Sequence, residues 1–209
     1  IDKNDFYNVI SEDLLSEETE FNEDFSSLNF PPENWEVLNI GQNSSWKDTS
    51  IFTQEGLQNR VAYFKNDLDG NFDKLITQPI YLDNDLSNPY LSFDVSYSSI
   101  SDSFEDALLV EVSQDCGSTF TDTIYYKSGK FLSTYIQNNS TNSDHHLFRN
   151  ESVSLKEFLG KRIKISFLSN SDGGNNIYID NVNLTNRSTE DFNPLVFEIF
   201  PNQSSGFFI

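Results

Sequence analysis

Asn176-Ile177-Tyr178-Ile179-Asp180-Asn181-Val182-Asn183-Leu184 decides the fold. Apolar residues alternate at Ile177 and Ile179, and the alternation then resumes one residue out of phase at Val182 and Leu184. Side chains of a strand point to opposite faces in turn, so a change of phase means one inserted residue and predicts a β-bulge at Asp180-Asn181. A bulge bends its strand and re-aims the side chains on it, which turns the Asp180 carboxylate toward something other than bulk solvent.

The same period of two recurs upstream. Leu91, Phe93, Val95 and Tyr97 share one face while Ser92, Asp94, Ser96 and Ser98 share the other. Leu108, Val110 and Val112 alternate with Leu109, Glu111 and Ser113, and Ile163, Ile165 and Phe167 alternate with Lys164 and Ser166. Further strands are predicted over residues 21–25, 34–38, 61–65, 74–82, 121–127 and 131–136, with Asp-Gly turns at Asp69-Gly70 and Asp172-Gly173. Residues 39–60 read as a long polar connection in which Trp46 stands alone. Ten or more short strands with one wet face predict an all-β chain, a two-sheet antiparallel β-sandwich of the jelly-roll kind. Its expected limits are 21–185, after an acidic lead-in at 1–20. A linker at 186–194 and the start of a second module at 195–209 follow.

Composition narrows the function. A formal charge of -20 over 209 residues disfavours nucleic acid and anionic membrane surfaces, which such a chain would repel, and makes cations its natural counterparts. No apolar run is long enough to enter a membrane. Cys116 is the single cysteine, so the chain forms no internal disulfide and no thiolate zinc cluster. The chain begins at Ile1 and has no methionine, which suggests a processed piece of a longer protein.

Three stretches in order resemble a known family. Phe21-Asn22-Glu23-Asp24-Phe25 with Pro32 and Trp35, then 106–120 with its Leu-Leu-Val-Glu-Val-Ser core, then 177–184 are similar to the MAM-like or cleaved-adhesin jelly rolls of secreted Bacteroidetes proteins. Ser113-Gln114-Asp115-Cys116-Gly117 with Tyr126-Lys127-Ser128-Gly129 resembles the version found behind pappalysin-like zinc metalloproteases, although Phe120 stands where that version usually has Trp. Residues 196–209, with Pro201-Asn202 and Ser205-Gly206, resemble the opening of a type IX secretion sorting domain, although Gln203 departs from its usual second proline. The resemblance implies a domain secreted or displayed on the outer-membrane surface that binds glycan or extracellular protein, attached to a protease and expected as a monomer. A free-standing protein–protein adhesion module and a carbohydrate-active jelly-roll enzyme are the alternatives.

Catalytic chemistry is thin. His145 and His146 are the only histidines, too few for the three-ligand zinc site of a hydrolase, and no Gly-x-Ser-x-Gly elbow is present. Calcium is the better use of so many oxygens. The period of two places Glu23 on the core face between Phe21 and Phe25, where an ionised carboxylate needs a cation or several donors. The first and last strands of a jelly roll commonly lie side by side, so Glu23 and Asp180 are the expected ligands, with Asp106 and Asn181 added. The other reading leaves Glu23 hydrogen-bonded or at an exposed edge. For stacking on a ligand, Trp46, Tyr125, Tyr126 and Tyr135 are candidates, each with core or rim packing as its alternative.

Overall fold

The computed structural model describes residues 21–40, 44–66, 70, 72–99, 103–136 and 145–186. In chain order the strands are β1 (Phe21–Glu23), β2 (Glu36–Leu38), β3 (Lys47–Thr53), β4 (Gln58–Phe64), β5 (Phe72–Ile76), β6 (Ile80–Leu82), β7 (Pro89–Ser96) and β8 (Ser98–Ser99). Then come β9 (Ala107–Ser113), β10 (Asp122–Ser128), a one-turn helix α1 (Gly129–Leu132), β11 (Tyr135–Ile136), β12 (His145–His146), β13 (Arg149–Ser154), β14 (Lys161–Asn170) and β15 (Ile177–Asn186).

Two sheets face each other. Sheet A runs β12-β3-β4-β15-β7-β13 with β1 also paired to β15, and sheet B runs β10-β9-β14-β5-β2 with β6 also paired to β14. Among the described residues, pairing is antiparallel apart from two short parallel contacts, β11 with β8 and β12 with β3. The expected jelly roll is therefore the observed fold.

Alternation fills the space between the sheets. Leu91, Phe93 and Val95 of β7, Val110 and Val112 of β9, Ile165 and Phe167 of β14, and Ile177, Ile179, Val182 and Leu184 of β15 are all buried. The Phe93 ring meets Phe167 edge-on at 5.3 Å and Tyr125 edge-on at 5.2 Å, which bolts the two sheets together with favourable aromatic geometry. At one side of the sandwich the edge strands β10 and β13 are tied by Glu151. Its Oε1 accepts from Lys127 Nζ at 2.6 Å and from Arg149 Nε at 2.7 Å.

The bulge lies where the phase change puts it. Asp180 is opposite Asp94 and Asn183 opposite Ser92, so two residues of β15 face a single residue of β7 between those pairs. Asn181 takes a left-handed backbone (φ 47°), which asparagine tolerates better than most residues.

Several strand limits differ from expectation, each for a local reason. β3 lies inside the stretch read as polar connection, because this strand flanks the sheet edge and offers little apolar alternation. The expected strand over 74–82 is broken at Thr77-Gln78-Pro79: β5 pairs with one half of β14 and β6 with the other. Proline has no N–H to give, and Thr77 bridges the gap, donating its N–H to Ile165 O at 2.9 Å while its hydroxyl accepts the Ile165 N–H at 3.1 Å. Residues 131–132 belong to α1 rather than to a strand, leaving only Tyr135-Ile136 extended. The predicted lead-in at 1–20, the residues Asp67 to Asp69 of one predicted turn, the polar loop at 137–144 and the stretch 187–209 lie outside the described residues.

Candidate ligand groove and the bulge carboxylate

At the bulge, Asp180 is 3% exposed. Its Oδ2 accepts from Asn59 Nδ2 at 2.6 Å and its Oδ1 from the Asn181 N–H at 2.8 Å. Burial pushes its carboxyl up to about 6, against these two hydrogen bonds, and Asp94 and Asp24 push in the same direction. Asp94 is itself held by amides, accepting from Asn181 Nδ2 at 2.9 Å and Asn150 Nδ2 at 2.8 Å. The bulge thus gathers carboxylates of one sign among side-chain amides.

Glu23 meets its burial differently from expectation. Its register partner is Val182, next to the bulge, but its Oε1 accepts the N–H of Phe25 at 2.6 Å. The chain turns there through a left-handed Phe25 (φ 52°), which drops the Phe25 ring into the core against Trp35 at 5.9 Å. Partial burial raises the Glu23 carboxyl above its usual range, opposed by the Phe25 N–H and aided by Asp24. From this first segment it is Asp24 whose charge acts on Asp180. Among the described residues no group of three or more His, Cys, Asp or Glu side chains is placed to hold a metal ion. An ion at the bulge would need amide and backbone oxygens as well, a donor mixture that suits calcium.

Asp106 does not join this cluster. It is fully buried in front of β9, with Oδ1 accepting the N–H groups of Asp172 at 2.7 Å and Gly174 at 3.2 Å and Oδ2 accepting the Tyr97 hydroxyl at 2.8 Å. Burial raises both carboxyl and phenol, while the hydrogen bonds hold the carboxyl down. Its oxygens serve the Tyr97 hydroxyl and the turn between β14 and β15, and none of these hydrogen bonds is shared with Glu23 or Asp180, with which it was expected to group. A Cβ built on Gly174 would collide with Oδ2 of Asp106, so the turn must carry glycine there.

The outer face of sheet A carries a groove of 440 Å³ lined by Thr49, Ser50, Ile51, Phe52, Tyr63, His146, Asn176 and Tyr178. Tyr63 and Tyr178 are register partners on β4 and β15, with rings 6.0 Å apart and only 24° from parallel. The His146 ring leans on Tyr178 at 4.3 Å, so this histidine is a groove wall rather than a loose surface residue. Asn176 Nδ2 donates to the Tyr178 hydroxyl at 3.3 Å.

The aromatics expected to stack on a ligand are placed unevenly. Trp46 is 2% exposed, packs on Phe64 at 5.7 Å and donates its indole N–H to Asp73 O at 3.1 Å, so it belongs to the core. Tyr125 is 8% exposed and packs on Phe93, again as core. Tyr126 is 61% exposed on β10, in the other sheet. Tyr135 is half-buried, and burial with a contribution from Tyr178 raises its phenol, which places it near the groove. Tyr63 and Tyr178 were legible in principle: each is a tyrosine at the outward position of a strand, Tyr63 between Ala62 and Phe64 and Tyr178 between Ile177 and Ile179.

No protein-family model matches the chain, and no curated protein sequence does. Solved structures do. The K1 cleaved adhesin domain of Lys-gingipain from Porphyromonas gingivalis superposes with a TM-score of 0.60 at 18% identity, covering 82% of this chain and 100% of that one. The K2 cleaved adhesin domain of Lys-gingipain gives 0.54 at 17% identity, covering 79% and 97%. The K3 domain from P. gingivalis gives 0.52 at 14% identity, again covering 79% and 97%. At these identities the likeness is one of architecture, and in architecture this chain is a jelly roll of the kind seen in the cleaved adhesin domains of Lys-gingipain.

Proposed function

We propose that the chain is a non-catalytic, calcium-stabilised binding domain of a secreted or cell-surface bacterial protein, taking glycan or extracellular protein as its partner. The observation that carries this reading is the open groove on sheet A, whose floor and wall are aromatic rings and whose rim is hydroxyl and amide groups. The adhesin-like architecture supports it by analogy of fold. Attachment to a metalloprotease and export through type IX secretion belong to the same proposal, resting on the sequence resemblances at 113–129 and 196–209.

Calcium enters at the bulge. Asp180, which feels the charge of Asp94 and Asp24, is the carboxylate that would hold the ion, with the remaining ligands drawn from backbone and amide oxygens because, among the described residues, no third acidic side chain is placed to complete a set. Glu23, one strand away, is a further donor if it releases the Phe25 N–H. The ion would supply the positive charge that this set of carboxylates lacks.

Incubated with casein, gelatin and a panel of polysaccharides, the domain should release no product while being retained by a glycan-coated or extracellular-protein-coated matrix. Turnover that is abolished by replacing one carboxylate would overturn the non-catalytic reading.

A further inference from the structure

We propose that the sheet A groove is a binding site for a neutral glycan chain, seated on Tyr63 and Tyr178. This rests on the reading of the domain as a binding module and assigns that reading a site and a ligand class.

Three observations select a neutral sugar. The first is the mixture of surfaces. A pyranose ring has an apolar C–H face and a rim of hydroxyls, each both donor and acceptor. The groove presents the tyrosine pair and the His146 ring beside Thr49, Ser50 and Asn176, which between them donate and accept. Its 440 Å³ falls within the ~300–1,000 Å³ typical of small-ligand sites and accommodates a short oligosaccharide.

The second is charge. None of the lining residues is acidic, and none is lysine or arginine. Beyond the groove, Asp180 follows Tyr178 on the same strand with Asp94 opposite, and the whole chain carries -20. A uronate, a sulfated sugar or a nucleotide would find no guanidinium or ammonium partner in the lining and a repelling field around it.

The third concerns a peptide, the competing occupant. A peptide adding as a strand needs free backbone at a sheet edge. Beside the groove, the edge of β3 at Phe52 and Thr53 is already paired with His145 and His146. The tyrosine pair stands on β4 and β15, each flanked by a strand on both sides in sheet A, so at its centre the groove offers side chains on a sheet face rather than an open edge.

The test is calorimetric titration of the intact domain with neutral oligosaccharides (β-1,4-linked glucose, xylose, mannose and galactose series) and with oligogalacturonate and heparin fragments. At least one neutral series should bind and the acidic ones should not. Tyr178→Ala and Tyr63→Ala should each weaken binding roughly tenfold or more. Tyr178→Phe, which keeps the ring, should stay within about threefold, as should Tyr126→Ala on the other sheet. If Tyr178→Ala does not fold, Tyr63→Ala carries the same expectation. Glycan binding that survives both alanine substitutions would overturn this site while leaving the domain a binding module. Binding of acidic sugars alone, of none of the panel, or of a protein partner alone would overturn the neutral-glycan assignment. Cleavage of the oligosaccharides would overturn the binding-module reading itself.

Discussion

Asp106→Ala should lower the melting temperature by roughly 10 °C or more, a loss of about 3–5 kcal/mol. The carboxylate accepts three hydrogen bonds inside the protein, from Tyr97, Asp172 and Gly174, and alanine leaves all three donors without their acceptor. Gly174→Ala should cost about 2–4 kcal/mol by a different route, since the new methyl group would occupy the place of Oδ2. The double variant separates this mechanism from general damage. Once Asp106 is alanine, the two Asp106 atoms that the methyl group meets are gone and only Phe104 Cβ at 3.3 Å stays close, so the second substitution should cost much less than it does alone. Additive losses in thermal melts of the four proteins would show that the two residues act independently.

Asp180 should make the metal-free domain less stable as pH rises from about 4 to about 6. Its folded carboxyl is held at about 6, above its ordinary 3.8, so the folded state binds the proton more tightly than the unfolded chain. Below the unfolded value both states are protonated and the carboxyl costs nothing. Above the folded value both are ionised and the cost of the buried charge, of order 2–3 kcal/mol, is fully felt. In chelator, Asp180→Asn should therefore flatten the pH profile and melt higher than the wild type at pH 7, provided the Asn59 amide flips to offer its oxygen. Calcium should close most or all of this gap. An ion that binds only the folded, ionised form at a hundredfold excess over its Kd adds about 2.7 kcal/mol to the wild type and little to the variant. Identical profiles for the two proteins in chelator would show that Asp180 is not the strained group, and identical melts in calcium and chelator would remove the ion.

Much of this was readable from residues alone, where the signal is local. The bulge announces itself because Val182 and Leu184 are out of phase with Ile177 and Ile179, and burial of one face leaves no other way to keep all four inside. The strand holding Leu91, Phe93 and Val95 was equally plain. Asp106 was not, because its partners lie 9, 66 and 68 residues away and only the closed sandwich brings them to it. Glu23 faces the side that alternation predicts, yet it finds its donor two residues along its own chain, a choice set by the left-handed Phe25. Trp46 misled because its neighbours are polar. Its ring enters the core from the edge of β3, where the flanking residues have no core to face. The groove is hard to read from sequence for a related reason: Tyr63 and Tyr178 lie 115 residues apart, and only the pairing of β4 with β15 sets them side by side on the wet face of the sheet.

The most direct measurement is where a ligand lands. In a 15N-labelled domain titrated with the neutral oligosaccharide that binds best, amide shifts should concentrate at Thr49 to Phe52, Tyr63, His146, Asn176 and Tyr178 and leave β9 and β10 unmoved. Shifts confined to sheet B, or to the turn that Asp106 holds, would contradict the account.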